Sequence, residues 1–235
     1  MSKHLKRIAA PSFWKIVKKA YAWVVRPRAG PHKLEECFPL LIIVRDILKL
    51  ADNAKEAKKI IKMGEILVDG KVRKDHKFPV GLFDVISIPK IKKFYRVVPA
   101  KKGLKLIEID EKESKVKLCK IRNKTIVKNG KVQLNLHDGK NILVNDPTLY
   151  KTGDSLLLEL PTLKILEHIK LEKGNLGIVI KGKRAGKMGE IEKIVVTRTK
   201  DPTRVICKME GESVEILKEY FFVVGKEKPL IKVSE

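Results

Sequence analysis

The sequence predicts an α+β chain made of several small domains, and three observations point there. Helical periodicity is confined to residues 40–62, everything from residue 104 onward reads as short strands separated by turn signals, and residues 1–36 have a composition unlike the rest. At 235 residues the chain has room for two or three small cores. The expected layout is a basic, aromatic N-terminal arm over 1–37, a small helix–helix–sheet domain over 38–99 and a central β domain over 100–170. A small β barrel over 171–225 and a tail over 226–235 complete it.

The charge balance narrows the partner. Fifty-two Lys and Arg against 28 Asp and Glu give a formal charge of +24, and nucleic acid is the polyanion that such an excess most often serves. With 43% hydrophobic residues the chain can build packed cores, unlike a disordered basic tail. Its longest strongly apolar run, Leu40–Val44, is far short of the about 20 residues that span a bilayer. The N-terminus lacks the apolar core and cleavage site of a signal peptide, so a cytoplasmic location without a membrane partner is expected. Cys37, Cys119 and Cys207 have no metal-ligand spacing, so neither zinc nor another cofactor is expected. Abundant Lys, Glu and Ile with scarce Gln fit a thermophilic bias.

In the arm, Lys3, Lys6, Arg7, Lys15, Lys18, Lys19, Arg26, Arg28 and Lys33 precede the first acid, Glu35, and Phe13, Trp14, Tyr21 and Trp23 are interleaved with them. Cations supply phosphate contacts and flat rings stack on unpaired bases, so the mixture suits a strand-tracking arm. Docking of the aromatics onto the body is the alternative. His4 and His32 are further RNA-contact candidates, and Pro27, Gly30 and Pro31 mark an irregular linker.

Leu40, Leu41, Ile43, Val44, Ile47 and Leu48 recur at helical spacing. Asp52 or Asn53 can cap a second helix with apolar Ala54, Ala57, Ile60 and Ile61, and Gly64 is placed to end it in the left-handed conformation. On that helix Lys55, Lys58, Lys59 and Lys62 fall at i, i+3, i+4 and i+7, so four ammonium groups share one face and repel each other. An extended anion against this face would offset that repulsion. Lys71, Arg73, Lys74 and Lys77 follow closely, and Arg45 adds to the candidate surface. Ile66–Val68, Asp69–Gly70 and Val72 read as a tight hairpin, and Asp84–Ile88 as a closing strand.

Residues 104–166 carry strand signals at 104–109, 116–121, 125–127, 132–136, 142–144 and 155–160, with turns at Asn129–Gly130 and His137–Gly139. Val132, Leu134 and Leu136 alternate with Gln133 and Asn135, the period of a half-buried strand. This block has the weakest functional signal and reads as a packing and spacing module. After Gly174–Ile180 comes the loop Lys181-Gly182-Lys183-Arg184-Ala185-Gly186-Lys187, whose small residues let backbone amides approach a phosphodiester and whose Lys181, Lys183, Arg184 and Lys187 add charge. Strands at 205–209, 214–217 and 221–224 would complete the last barrel.

Enzyme motifs fail on inspection. Gly177-x-x-x-x-Gly182-Lys183 continues with Arg184 where a nucleotide-binding loop needs a hydroxyl, and a strand rather than a helix follows. Neither GxSxG nor HExxH occurs, and no pair of carboxylates stands out. No catalytic residue and no small-molecule substrate are expected.

Taken in order, several blocks resemble the archaeal and eukaryotic small-subunit ribosomal protein four family of the "e" type. They are His4-Leu5-Lys6-Arg7 with Ala9-Ala10-Pro11 and Trp14, then Gly30-Pro31-His32-Lys33-Leu34 with Glu36-Cys37. Asp69-Gly70-Lys71-Val72-Arg73, Asp84–Ile88, Lys117–Lys120, Gly174-Asn175-Leu176 and Phe222–Lys226 complete the match. The resemblance implies that residues 38–99 form the small RNA-binding domain also found in bacterial ribosomal protein four, that 100–170 form the family's central β domain, and that 171–225 form a KOW-type, SH3-like barrel. It implies a structural constituent of the small subunit, bound to 16S-type rRNA and to neighbouring small-subunit proteins. Two departures stand out: Lys181, Lys183 and Arg184 lie where family members often carry neutral residues, and the chain stops at Glu235 without the basic tail of eukaryotic members, which favours an archaeal type. Two other readings compete. One is an RNA-modifying enzyme, for which no catalytic-sized segment is left over. The other is a free regulatory or transcription-elongation factor, suggested by the KOW-like loop alone.

Overall fold

The structure, a computed structural model, describes residues 4–127, 130–146, 148–196 and 201–233. Lys3 and Asn129, both invoked above, lie outside the described residues. The chain divides into two units, one of Met1–Val97 with Lys102–Lys115 and the other of Val98–Lys101 with Val116–Glu235.

In the first unit, Leu40–Ile42 starts an α-helix that widens into a π-helical turn over Ile43–Ile47, where Leu48 N–H reaches back five residues to the Ile43 carbonyl. The expected regular helix is therefore a short, irregular one. Leu40, Leu41, Ile42, Ile43 and Val44 are all buried, so the first half of this helix is enclosed on every side instead of presenting one apolar stripe, while Arg45–Leu48 are half-buried.

The second helix, Ala54–Lys62, follows its sequence signals closely. Asn53 Oδ1 accepts hydrogen bonds from Lys55 N and Glu56 N at 2.9 and 3.0 Å. The Glu56 carboxylate accepts in return from Asp52 N and from Asn53 Nδ2, a reciprocal cap that satisfies donors a helix start leaves open. Ala57 and Ile61 face the core, and Gly64 ends the helix at φ +80°. Strands Leu67–Val68 and Lys71–Val72 then pair across Asp69 (φ +52°) and Gly70 (φ +71°), both left-handed as a tight two-residue hairpin requires.

That hairpin opens a five-stranded sheet in the order Lys71–Val72, Leu67–Val68, Val85–Ile88, Lys93–Ala100, Gly103–Ile109. The last strand was expected to begin the central β block, yet it forms the outer edge of this sheet. Its attachment is followed by a short helix, Glu111–Ser114, which Arg96 holds: the fully buried guanidinium donates to Glu113 Oε2 and to the Glu113 carbonyl, both at 2.8 Å. Two smaller pairs complete the unit, Cys37–Pro39 with Pro79–Gly81 and Leu5–Lys6 with Trp23–Val24.

The second unit holds two antiparallel five-stranded sheets. In the first the order is Asn141–Val144, Val132–Leu136, Val116–Ile126, Ser155–Glu159, Ile165–Ile169. The strands expected at 116–121 and 125–127 are one continuous strand interrupted by a bulge at Arg122. Cys119, Ile121, Val132, Leu134, Leu136, Leu156 and Leu158 form its core. In the second sheet the order is Glu212–Leu217, Arg204–Met209, Met188–Val195, Leu176–Val179, Phe221–Gly225.

Charged groups also enter this unit's interior. Lys117 Nζ lies 2.8 Å from Asp138 Oδ2 with both side chains essentially unexposed. Lys120 Nζ donates to three carbonyls, those of Phe221 (2.7 Å), Lys218 (2.8 Å) and Glu219 (3.3 Å). Burial, with a smaller push from Lys218, lowers the Lys120 pKa to about 8.

Candidate nucleic-acid interface

The cap at Asn53 sets the phase of the second helix, and that phase puts Lys55, Lys58, Lys59 and Lys62 on the solvent side. Together with Met63 they line a shallow groove. None of the four ion-pairs with an acid among the described residues, so the mutual repulsion is left uncompensated within the chain. His76 lies close by: burial comes first among the causes that lower its pKa, followed by the Lys58 charge, with Asp75 opposing. Burial and the Lys58 charge both favour the neutral imidazole, which can donate as well as accept.

Across Gly64, a Cβ would meet Val72 and then Lys74 Cε at 3.6 Å, so the hairpin cations adjoin the helix C-terminus. Lys71 and Lys74 are exposed. Arg73 is half-buried with its guanidinium 4.3 Å from the Phe78 ring centroid. Arg28 reaches the same region: its backbone N–H donates to Lys77 O, and its side chain pairs with Asp75 at 3.2 Å. Arg45, half-buried, is paired with its neighbour Asp46 at 2.8 Å.

The arm separates into anchored and exposed positions. Lys6, Lys15 and Lys33 are exposed and Arg26 is half-buried. His4 packs against Trp23, ring centroids 5.4 Å apart, and Trp23 and Tyr21 are both exposed. Three candidates are corrected. Trp14 has no exposed surface and donates from Nε1 to the Cys37 carbonyl at 2.8 Å; its ring docks into the core and cannot stack on a base. The His32 side chain is almost enclosed: Nε2 sits 2.9 Å from Asp84 Oδ2, a carboxylate that also accepts from Gly81 N. Arg7 is buried, donates from Nε to the Val17 carbonyl and lies under the Tyr21 ring. In each case a neighbouring acceptor or hydrophobic core outcompetes solvent for a group that looked available in the sequence.

In the loop after Leu176–Val179, Lys181, Lys183, Arg184 and Lys187 are all exposed, and Gly182 and Gly186 take φ of +95° and +87°. Lys187 pairs with Glu210 at 2.6 Å and Arg184 lies 3.6 Å from Glu212, so two of the cations share charge with the adjacent turn. Several backbone amides are already used: Ala185 N bonds Gly182 O, Gly186 N bonds Val179 O and Lys187 N bonds Arg184 O. The loop therefore offers side-chain cations more than the open amide cradle expected from its glycines.

The cysteines of the cores are buried and inert. Burial pushes the Cys37 thiol up to about 12 and the Cys207 thiol to about 11, which keeps both protonated. Cys119, His137 and Asp138 place ligand-type atoms within 4.8 Å of one another, but the Lys117 ammonium already supplies positive charge at Asp138. Lys117, Lys120 and Asp138 are interior groups that no sequence signal marked, because Lys-rich alternation reads as a solvated strand.

A cationic helix face beside a tight hairpin, within a small helix–sheet module, defines a nucleic-acid-binding class of protein. Residues 39–86 match the S4 domain, residues 1–35 the RS4NT (NUC023) domain, and residues 91–165 the ribosomal family S4e. The small ribosomal subunit protein eS4 of Methanothermobacter thermautotrophicus is 51% identical over 233 residues, covering 98% of this chain and 96% of the relative. That of Methanocaldococcus jannaschii is 49% identical over 238 residues, covering 98% and 97%. The crystal structure of the 30S ribosomal protein S4e from Thermoplasma acidophilum is similar at a TM-score of 0.71 and 34% identity, over 81% of this chain and 96% of that one. The chain belongs to the ribosomal S4e family, whose members are structural proteins and not enzymes. No helix among the described residues is long and apolar enough to cross a membrane.

Proposed function

We propose that this chain is a structural constituent of the small ribosomal subunit that binds 16S-type rRNA through its cationic surfaces and performs no catalysis. The observation that carries the reading is the Lys55, Lys58, Lys59 and Lys62 face, exposed and without an acidic partner among the described residues. Phosphates brought close by rRNA folding would release counterions there, and recognition of duplex RNA would rest on shape, because its deep major groove excludes side chains. The remaining proposed contacts are Lys6, Lys15, Arg26, Arg28, Lys33, Arg45, Lys71, Arg73, Lys74, Lys181, Lys183, Arg184 and Lys187, with His4 stacked beside Trp23. In this reading residues 171–225 form a KOW-type, SH3-like barrel, residues 38–99 are the principal RNA-binding module, and the protein is cytoplasmic and ribosome-bound among other small-subunit proteins.

The test is binding of the full chain to a small-subunit rRNA transcript over a range of salt. Replacing Lys58, Lys59 and Lys62 with Glu removes three cations, so the slope of log affinity against log salt becomes shallower by about 2.7 if all three meet duplex phosphates. Native circular dichroism with unchanged affinity and slope would reduce the lysine face to a solvated surface. Sedimentation of cell extract separates an integral component, recovered with the small subunit after a high-salt wash, from a free factor.

A further inference from the structure

In the first sheet of the second unit, the cross-strand registers place Asn123, Asn135 and Asn141 in one row and Thr125, Gln133 and Leu143 in the next. Directly opposed residues in antiparallel strands share a face, so these six form one surface. Leu134 with Ile142 and Val132 with Val144 occupy the opposite, core-facing side. Asn123, Thr125, Asn141 and Leu143 are exposed and Gln133 and Asn135 are half-buried.

This surface is compositionally anomalous. The whole chain contains seven Asn and a single Gln, while 34% of its residues are charged. Yet the patch gathers three of those Asn and the only Gln, without one charged member. Half of the chain's amide side chains are concentrated in this one patch.

The backbone is arranged to the same end. Cys119 and Ile121 face the core, so simple alternation would carry Asn123 and Thr125 inward as well. The bulge inserts Arg122 between the Ile121–Leu136 and Asn123–Asn135 pairs and reverses the phase, turning both polar side chains outward. The amides are also held in orientation: Gln133 Nε2 donates to Asn135 Oδ1 at 2.7 Å, and Asn135 Nδ2 donates to Thr125 Oγ1 at 3.0 Å.

An amide offers a donor and an acceptor side by side, the pairing that matches a base edge. Phosphates call for cations instead, and a protein partner would call for more apolar area than Leu143 provides. Exposed Arg122 and Lys131 border the patch and can anchor a backbone. With same-face neighbours about 7 Å apart along a strand and strands about 4.8 Å apart, the surface accommodates one or two bases. The geometry points to a base-reading site: the amides of Asn123, Gln133, Asn135 and Asn141 hydrogen-bond the edges of unpaired nucleobases, and Leu143 packs on a base or ribose. This inference rests on the rRNA-binding reading above and assigns sequence recognition to a block that carries little charge signal.

The experiment uses the full chain with Asn123→Ala and Asn141→Ala combined, both at exposed positions, against a small-subunit rRNA transcript. Filter binding across a salt series is expected to give roughly tenfold weaker affinity with an unchanged salt slope, because base contacts release no counterions. Dimethyl sulfate probing should show a small set of unpaired adenines or cytosines protected by the wild type and exposed with the variant. A folded variant with wild-type affinity and protection overturns the proposal. Intact RNA binding with defective incorporation beside other small-subunit proteins also overturns it and assigns the face to a protein partner. If the wild type itself fails to bind the transcript, the rRNA-binding reading falls, and this one with it.

Discussion

Asp138→Asn puts the buried charge pair of the second unit to a quantitative test. Lys117 Nζ is 2.8 Å from Asp138 Oδ2, with side-chain exposures of 0% and 1%. The same oxygen lies 3.2 Å from Lys140 Nζ, and Cys119 Sγ donates to it at 3.7 Å. The amide preserves shape but strips Lys117 of its counter-charge. Removing one partner of such a pair costs about 3–5 kcal/mol. A ceiling comes from deprotonation: shedding the lysine proton at pH 7 costs about 5 kcal/mol, the distance from its reference pKa of about 10.4. The loss is a large part of the about 5–15 kcal/mol that holds an ordinary domain together. Replacing both partners with apolar residues, as Lys117→Met with Asp138→Leu, should recover most of it.

The pH dependence has a definite sign. Burial raises the Asp138 pKa, but Lys117, then His137 and Lys140, outweigh it and hold the carboxyl well below the usual carboxylate range. A depressed folded pKa contributes stability above the unfolded value of about 3.9 and loses it below. The gap between wild type and Asp138→Asn should therefore be flat from pH 7 to 5 and close below about pH 4. Urea unfolding of the full chain, followed by circular dichroism, measures it. A loss under about 1 kcal/mol at pH 7, or a gap that widens on acidification, would refute the reasoning.

One further outcome follows from the same interior, and two concern the N-terminal segment. Lys120→Met keeps the side-chain length but leaves the Phe221, Lys218 and Glu219 carbonyls without their shared ammonium donor. The expected loss is roughly 2 kcal/mol, returned burial of a charge offsetting part of the broken bonds, and a variant that melts higher than wild type would count against it. Trp14→Ala should lower stability by about 3–5 kcal/mol, since the ring is fully buried. Trp23→Ala, at an exposed ring, should leave melting nearly unchanged while weakening rRNA affinity about fivefold or more; the reverse pattern would exchange the two roles.

Local signals with one dominant cause were legible in the sequence. The Asn53 cap, the Gly64 terminator and the Asp69–Gly70 hairpin are each determined by a few neighbouring residues, and the structure has them where they were expected. The alternation of Val132, Leu134 and Leu136 with Gln133 and Asn135 likewise marked inside from outside. What escaped notice depends on distant partners. The Gly103–Ile109 strand joins the first sheet through a neighbour, Lys93–Ala100, that its own pattern cannot name. A π-turn at Ile43–Ile47 differs from an α-turn by one residue of spacing, which a continuous apolar run does not reveal. Trp14, His32, Lys117 and Lys120 are interior because a carbonyl or carboxylate far along the chain receives them. The exposed lysines of the candidate interface were the readable part of it, since helix phase alone decides their side.

Trp14 and His32 fix the N-terminal segment at two points, one through the Cys37 carbonyl and the other through Asp84. Ordering a free backbone costs about 1–2 kcal/mol per residue, and a wholly loose arm would meet that loss at the moment of docking. Tethered in this way, much of the segment has met it during folding, so under the proposed rRNA binding its lysines would arrive at the polyanion already spaced and the encounter would not wait for the chain to find its shape.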